Sequence, residues 1–218
     1  MKYNVKKMKK LLIWTAIIVG LAGATWGMAK LASSPSDQTA ILTSAVSDSD
    51  WIKGNKDAKV VLVEYSDFQC PACAGYAPIV NEIVGEFGDK IAFVYRHFPL
   101  PYHQQADLAA RTAESAGKQN KFWEMTDLLF TNQTAWADKN DAREKFISYA
   151  QSLGLDLNRF ESDLDSAELK KEVENDYLSG AAIVNSTPTF FLNGKKIQNP
   201  RSYEEFRNLI IQTLSQIP

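Results

Sequence analysis

Val60-Val61-Leu62-Val63-Glu64-Tyr65-Ser66-Asp67-Phe68-Gln69-Cys70-Pro71-Ala72-Cys73 is the stretch on which the fold turns. Its opening is a short β-branched run of the kind found in a strand buried on both faces, and it predicts a strand at about 59–65. Beyond the cysteines, Ile79, Val80, Ile83, Val84 and Phe87 recur at helical spacing until Gly88 closes the pattern. A strand therefore runs into a helix through the two cysteines. Cys70 falls at the helix N-cap, and Pro71 takes the first helical position, where its missing N–H would have had no partner anyway.

Working outward, Ile91 to Phe98 is again short, β-branched and aromatic, bounded by Gly88-Asp89 and Pro99-Leu100-Pro101, and reads as a second strand parallel to the first. From about 103 to 184 the chain turns to helix formers, interrupted near Gly117, Thr131 to Thr134, Gly154 and Ser166, which leaves room for four or five helices. Strands return at Thr189 to Leu192 and Lys195 to Ile197, joined by Asn193-Gly194, the signature of a type I′ hairpin. Ser202-Tyr203-Glu204-Glu205 has the form of a capping box, and Phe206, Leu209, Ile210, Thr213 and Leu214 continue it as a last helix. The order β-α-β, helices, β-β-α makes this an α/β protein with a thioredoxin-like fold and a helical insertion.

The start of the chain is different in kind. Lys2, Lys6, Lys7, Lys9 and Lys10 precede an uncharged run from Leu11 to Ala29, so residues 1–30 read as a signal peptide or a transmembrane signal-anchor. At about 1.5 Å per residue the run would reach roughly 28 Å, close to the hydrocarbon thickness of a bilayer, which favours the anchor. Ala22-Gly23-Ala24 and Gly27-Met28-Ala29 keep open a cleaved peptide and a secreted or periplasmic product. Either way the lysines hold the N-terminus inside, and the C-terminal domain is expected outside the cytoplasm. Residues 1–30 hold six of the 24 basic side chains and none of the 26 acidic ones, so the rest carries 18 basic against 26 acidic groups, a formal −8. That balance argues against nucleic acid as a partner. Ser33 to Asp50, rich in Ser, Asp and Thr, reads as part of a flexible linker over 31–50, with the folded domain at 51–218.

The chain's two cysteines, Cys70 and Cys73, are too close in sequence for a structural clip, because so short a loop removes little chain entropy. A zinc site would need more ligands than His97 and His103 supply, so no metal is expected, and thiol exchange calls for no cofactor. At a helix N-terminus the dipole and unpaired N–H groups favour a thiolate, which makes Cys70 a good nucleophile and a good leaving group. Cys73, one turn further in, is the candidate resolving thiol. His97 and His103 read as helix caps or hydrogen-bonded surface residues.

Glu64-Tyr65-Ser66-Asp67-Phe68-Gln69-Cys70-Pro71-Ala72-Cys73, with Ser186-Thr187-Pro188-Thr189-Phe190-Phe191 far downstream, resembles the DsbA-like family of bacterial disulfide oxidoreductases. Arg96-His97-Phe98-Pro99-Leu100 and Lys121-Phe122-Trp123-Glu124 match segments of the same family, and the resemblance covers roughly residues 51–216. It implies a cis peptide before Pro188, with Thr187 and Pro188 contacting the substrate backbone as an open sheet edge would. It also makes Glu64 a buried acid beside the redox pair, the alternative being an edge or surface glutamate. Pro71 and Ala72 become the residues that tune the potential. The strongly oxidising members carry Pro-His there, and the Ala72 side chain can donate neither a hydrogen bond nor a charge, so a weaker oxidant is expected.

The function implied is a dithiol oxidase that introduces disulfides into reduced exported proteins and is re-oxidised by a quinone-linked partner in the membrane, which residues 11–29 would share. The enzymatic alternative is a reductase or isomerase kept reduced by a membrane electron donor, since poise alone sets direction. The non-enzyme alternative is a thiol-bearing binding module. An isomerase would be expected to dimerise, and no heptad-rich segment precedes Trp51, so a monomer is expected.

Overall fold

The computed structural model describes residues 40–217. The signal or anchor helix expected at 1–30 and the linker as far as residue 39 lie outside the described residues. Among the described residues no helix is long and apolar enough to cross a membrane.

Strand β2, Val60–Ser66, is buried along almost its whole length because it runs through the middle of a five-stranded sheet. Strand β3, Ile91–His97, lies parallel to it with Glu64 beside Tyr95 and Ser66 beside His97. Between them comes helix α1, Pro71–Phe87, so the β-α-β unit is formed by the residues whose pattern predicted it. On the other side of β2 lies β4, Thr189–Leu192, antiparallel and paired from Leu62↔Leu192 to Tyr65↔Thr189. A two-residue strand, β5, Lys195–Lys196, closes that edge. The intervening turn has Asn193 at φ +47° and Gly194 at φ +79°, the left-handed pair that a type I′ turn requires.

The sheet separates two apolar clusters. Val60, Leu62, Phe93, Tyr95 and Phe190 face α1, the helical insertion and the last helix, α8, Tyr203–Ser215. Val63, Tyr65, Val94 and Phe191 face Phe98, Leu100 and Val184. Ser202 caps α8 by accepting the Glu205 N–H at 3.1 Å, while Glu205 Oε2 accepts from Arg201 N at 2.8 Å.

The insertion holds six helices rather than four or five: α2 Ala106–Gly117, α3 Phe122–Thr131, α4 Gln133–Trp136, α5 Ala142–Ser152, α6 Leu157–Leu164 and α7 Ala167–Gly180. The extra one, α4, is a single turn within the break foreseen around Thr131 to Thr134, too short to show a helical period. Phe122, Leu129 and Phe130 are buried as anchors, and Trp123 and Leu128 half-buried.

Two boundaries differ from expectation. Strand β1, Trp51–Gly54, is an antiparallel edge partner of β3, four residues long and so without a readable period. Residues 40–50, assigned to the linker, are held by the domain. Ile41 bridges Lys195, and Leu42 N donates to Gly194 O at 2.8 Å. From β3, the Arg96 guanidinium donates to Asp50 at 2.7 and 3.1 Å, to Ser44 O at 3.1 Å and to Ala45 O at 3.0 Å. Ala40, Leu42 and Val46 also pack on the Val63, Tyr65 and Phe191 face. Composition suggests a tether because these few apolar residues lie among Ser, Asp and Thr and the arginine that completes the anchorage is remote in sequence.

Candidate active site

The strand-to-helix junction is built as the cysteine spacing implies. Cys70 is the N-cap of α1 with extended backbone (φ −71°, ψ 121°), and Pro71 follows at the helix start. Both cysteines are free thiols. Cys73 is wholly buried, and Cys70 keeps 8% of its surface, with Pro71 and Ala72 exposed beside it. From the far end of the chain the Thr187 carbonyl comes to the pair and accepts from Cys70 Sγ at 3.4 Å. The Thr187–Pro188 peptide is cis. The 186–189 segment is held by Thr189 Oγ1 donating to Ser186 O at 2.7 Å and by Asn199 Nδ2 donating to Pro188 O at 2.8 Å.

The surroundings drive the two thiols apart. A hydrogen bond from the Cys73 thiol, opposed by burial and aided by Thr187 and by the backbone N–H groups of Cys73 and Ala72, brings Cys70 down to about 5. Burial, then the hydrogen bond it gives Cys70, then the Glu64 charge push Cys73 well above the ordinary thiol range. Glu64, 3% exposed in central strand β2, is raised to about 7 by burial, with Ser66 lowering and Cys70 raising it. The alternative of a surface glutamate is thereby excluded. A cavity of about 20 Å³ is lined by Glu64, Ala77, Asn81, Tyr95 and Thr126 among others, room enough for one water. Ala72 contributes through its main chain, a donor that reasoning from its side chain did not include.

Three polar residues that the sequence did not single out hold the loop. Asp67 is buried: Oδ1 accepts from Gln69 N at 2.7 Å, and Oδ2 from Leu100 N at 2.8 Å and His103 Nδ1 at 2.7 Å. Its main chain accepts from Cys70 N at 3.0 Å. Gln69 Oε1 accepts from Gln105 N at 2.7 Å, and its Nε2 donates to Ala137 O. Gln133 Nε2 donates to Phe68 O at 2.7 Å and Cys70 O at 2.9 Å. The Asp67-to-Gln69 spacing matches an Asx turn, a signal that could have been read; the glutamines' partners lie dozens of residues away.

His97 is not on the surface. It is 1% exposed, pairs through Nε2 with Glu114 Oε1 at 2.8 Å, and donates its main-chain N–H to Asp176 at 2.9 Å. Glu114 also accepts from Trp51 Nε1 at 2.7 Å, tying β1 to the insertion. The strand period put His97 on the face that α2 covers, and a helix packing there from the insertion leaves no local trace in the sequence.

A family model described as Thioredoxin matches residues 47–212. Among curated relatives, the Na(+)/H(+) antiporter NhaA of Herminiimonas arsenicoxydans is 41% identical over 150 residues, which is 68% of this chain and 23% of that protein. The chain thus spans about a quarter of the length of the curated relatives it matches, and the matching part is the thioredoxin-like region. Among solved structures, oxidised BdbD from Bacillus subtilis superposes with a TM-score of 0.71 at 24% identity, covering 81% of this chain and 99% of that one. The alpha-DsbA1 of Wolbachia pipientis has a TM-score of 0.71 at 20% identity, covering 80% and 95%. At those identities the likeness shows the fold, which is the thioredoxin-like α/β fold with a helical insertion in its DsbA-like form.

Proposed function

We propose that this chain, which belongs to the thioredoxin family, is a thiol–disulfide oxidoreductase working through Cys70 and Cys73, and that it runs as a dithiol oxidase on reduced exported proteins. The observation that carries the reading is the split between the two thiols. A hydrogen bond from the Cys73 thiol, aided by the Thr187 side chain and the N–H groups at the α1 N-terminus, brings Cys70 down to about 5 against its burial, while buried Cys73 is pushed up. A stabilised Cys70 thiolate favours the reduced pair, and a pair whose reduced form is favoured takes electrons from others.

In the oxidised protein a substrate thiolate attacks Cys70 Sγ. The substrate–Cys70 bond forms, the Cys70–Cys73 bond breaks, and the electron pair leaves on Cys73. Glu64, held near neutrality, supplies the proton that Cys73 then takes up, with the small cavity beside it as a place for a relaying water. A second substrate thiolate attacks the substrate sulfur of the mixed disulfide and expels Cys70 as a thiolate. The substrate leaves oxidised by two electrons, which the pair holds as the Cys70 thiolate and the Cys73 thiol. Thr187 and Pro188 line the approach to Cys70 and offer main-chain groups to an extended substrate. A quinone-linked membrane protein re-oxidises the pair, and residues 11–29 keep the domain at the outer face of that membrane, unless a peptidase releases it.

The test is trapping. Cys73→Ser should accumulate substrates disulfide-bonded to Cys70, Cys70→Ser should not, and the wild type should oxidise a reduced, unfolded substrate. Equal trapping by the two variants, or no oxidation by the wild type, would overturn the reading. Comparing the mass of the exported protein with that of the full chain distinguishes anchor from cleaved peptide.

A further inference from the structure

In thiol exchange an electron pair arrives on Cys73 when a substrate attacks Cys70, and until Glu64 gives up its proton that charge has to be held as a thiolate. Cys73 is wholly buried, and burial already disfavours its thiolate, so that charge needs a donor aimed at it. The N–H groups of Ala72 and Cys73 at the start of α1 serve Cys70 instead, and the Ser66 hydroxyl, which favours the Cys73 thiolate, is shared with Glu64. The main-chain N–H of Asp67, at the end of β2, is directed at Cys73 Sγ at 3.5 Å.

That N–H is held by its own side chain. The Asp67 carboxylate is fully buried and gripped by two backbone donors, Gln69 N at 2.7 Å and Leu100 N at 2.8 Å, and by the imidazole Nδ1 of His103 at 2.7 Å. A buried carboxylate keeps one geometry only while its lone pairs are satisfied. Of the three donors, the imidazole belongs to a side chain, and it comes from outside the strand and helix that carry the cysteines. His103 is itself fixed by its N–H donating to Leu100 O at 2.9 Å and by the Tyr102 ring edge-on at 4.7 Å.

We propose that His103 is a positioning residue for disulfide exchange: through the Asp67 carboxylate it holds the Asp67 N–H against Cys73 Sγ, where it stabilises the thiolate released when a substrate thiolate attacks Cys70. The inference rests on the thiol-exchange reading and adds to it a residue 30 positions beyond the pair. By microscopic reversibility the same N–H steadies Cys73 when it attacks a mixed disulfide at Cys70 from within. The Cys70 sulfur is served by other groups, the Cys73 and Thr187 side chains and the Ala72 and Cys73 N–H groups.

Reduced glutathione is the probe. With full-length protein in the oxidised state, His103→Ala should slow glutathione attack on the pair about tenfold, the scale on which a misaligned donor to developing charge acts. In the reduced Cys73→Ser background the same change should leave alkylation of Cys70 by iodoacetamide unaltered, because that reaction reads Cys70 alone. His103→Asn, whose amide N–H falls near the place of Nδ1, should restore the glutathione rate, and His103→Gln, whose amide reaches toward the place of Nε2, should not. The Asn and Gln pair serves as the test if the alanine variant does not fold. A glutathione rate unchanged in His103→Ala, equal rates for Asn and Gln, or Cys70 alkylation slowed in the same proportion would overturn the assignment of His103 while leaving thiol exchange standing. A wild-type pair inert to glutathione would bring down thiol exchange itself, and this inference with it.

Discussion

Gln133 Nε2 donates to the carbonyls of Phe68 at 2.7 Å and Cys70 at 2.9 Å, so a one-turn helix of the insertion fixes the backbone on either side of Gln69. The insertion is therefore part of the scaffold of the redox loop as well as an apolar cover. Gln133→Leu keeps the bulk and removes the donor from the Phe68 carbonyl, and leaves Cys70 O the longer Ala74 N–H at 3.2 Å. The expected cost is about 1–3 kcal/mol, measured by urea unfolding of the reduced protein. A variant as stable as wild type would mean that the loop holds itself.

Cys70 should titrate near the value that its surroundings impose. Absorbance of the thiolate at increasing pH, or the rate of alkylation, should rise with a midpoint at about 5. The sign of the linked stability follows: the unfolded chain holds this proton up to about 9, so the reduced protein gains stability from Cys70 as pH rises between those values and loses it as pH falls through 5. A midpoint near 9 would show that the hydrogen bonds to the sulfur do not act.

Glu64 works in the opposite sense. Burial raises it from 4.5 to about 7, so folding loses stability as pH climbs between those values and levels off above. Glu64→Gln should flatten that fall and be the more stable protein at pH 8, by an amount on the order of 3 kcal/mol. It should also slow the step in which Cys73 takes up a proton, by at least about a hundredfold. Unfolding curves at pH 4.5 and 8 that move in parallel for the two proteins would place the carboxyl in a wetter setting than β2 provides.

Arg96 and Asp50 expose 3% and 5% of their side chains. Arg96→Met strands a buried carboxylate and releases the Ser44 and Ala45 carbonyls, with an expected cost of about 3–5 kcal/mol. Limited proteolysis should then cut within residues 40–50 before the rest of the domain. Resistance there equal to wild type would mean that Ile41 and Leu42 alone hold the segment.

What the sequence revealed and what it hid follow one physical line. Runs that make their own contacts were readable: the β-branched Val60 to Val63, the helical spacing from Ile79 to Phe87, and the Asn193-Gly194 turn. The cysteine spacing placed Cys70 at the cap and Cys73 in the core, because a helix start is a local event. Hidden were features whose partners are remote: Gln133 on the Cys70 carbonyl, His103 on Asp67, Glu114 on His97, and Arg96 on a segment 46 residues earlier. None has a periodicity, and each became visible only when the insertion and the 40–50 segment were folded against the sheet. Ala72 is the instructive case, since a side chain with nothing to offer sits on a main-chain N–H that Cys70 uses.

The equilibrium potential of the Cys70–Cys73 pair against glutathione tests the oxidase account most directly. Stabilisation of the Cys70 thiolate without a donor side chain at position 72 predicts a potential of roughly −200 to −150 mV, oxidising but short of the about −120 mV of the strongest relatives. A value at or below thioredoxin's, roughly −270 mV, would contradict it and make the same pair a reductant.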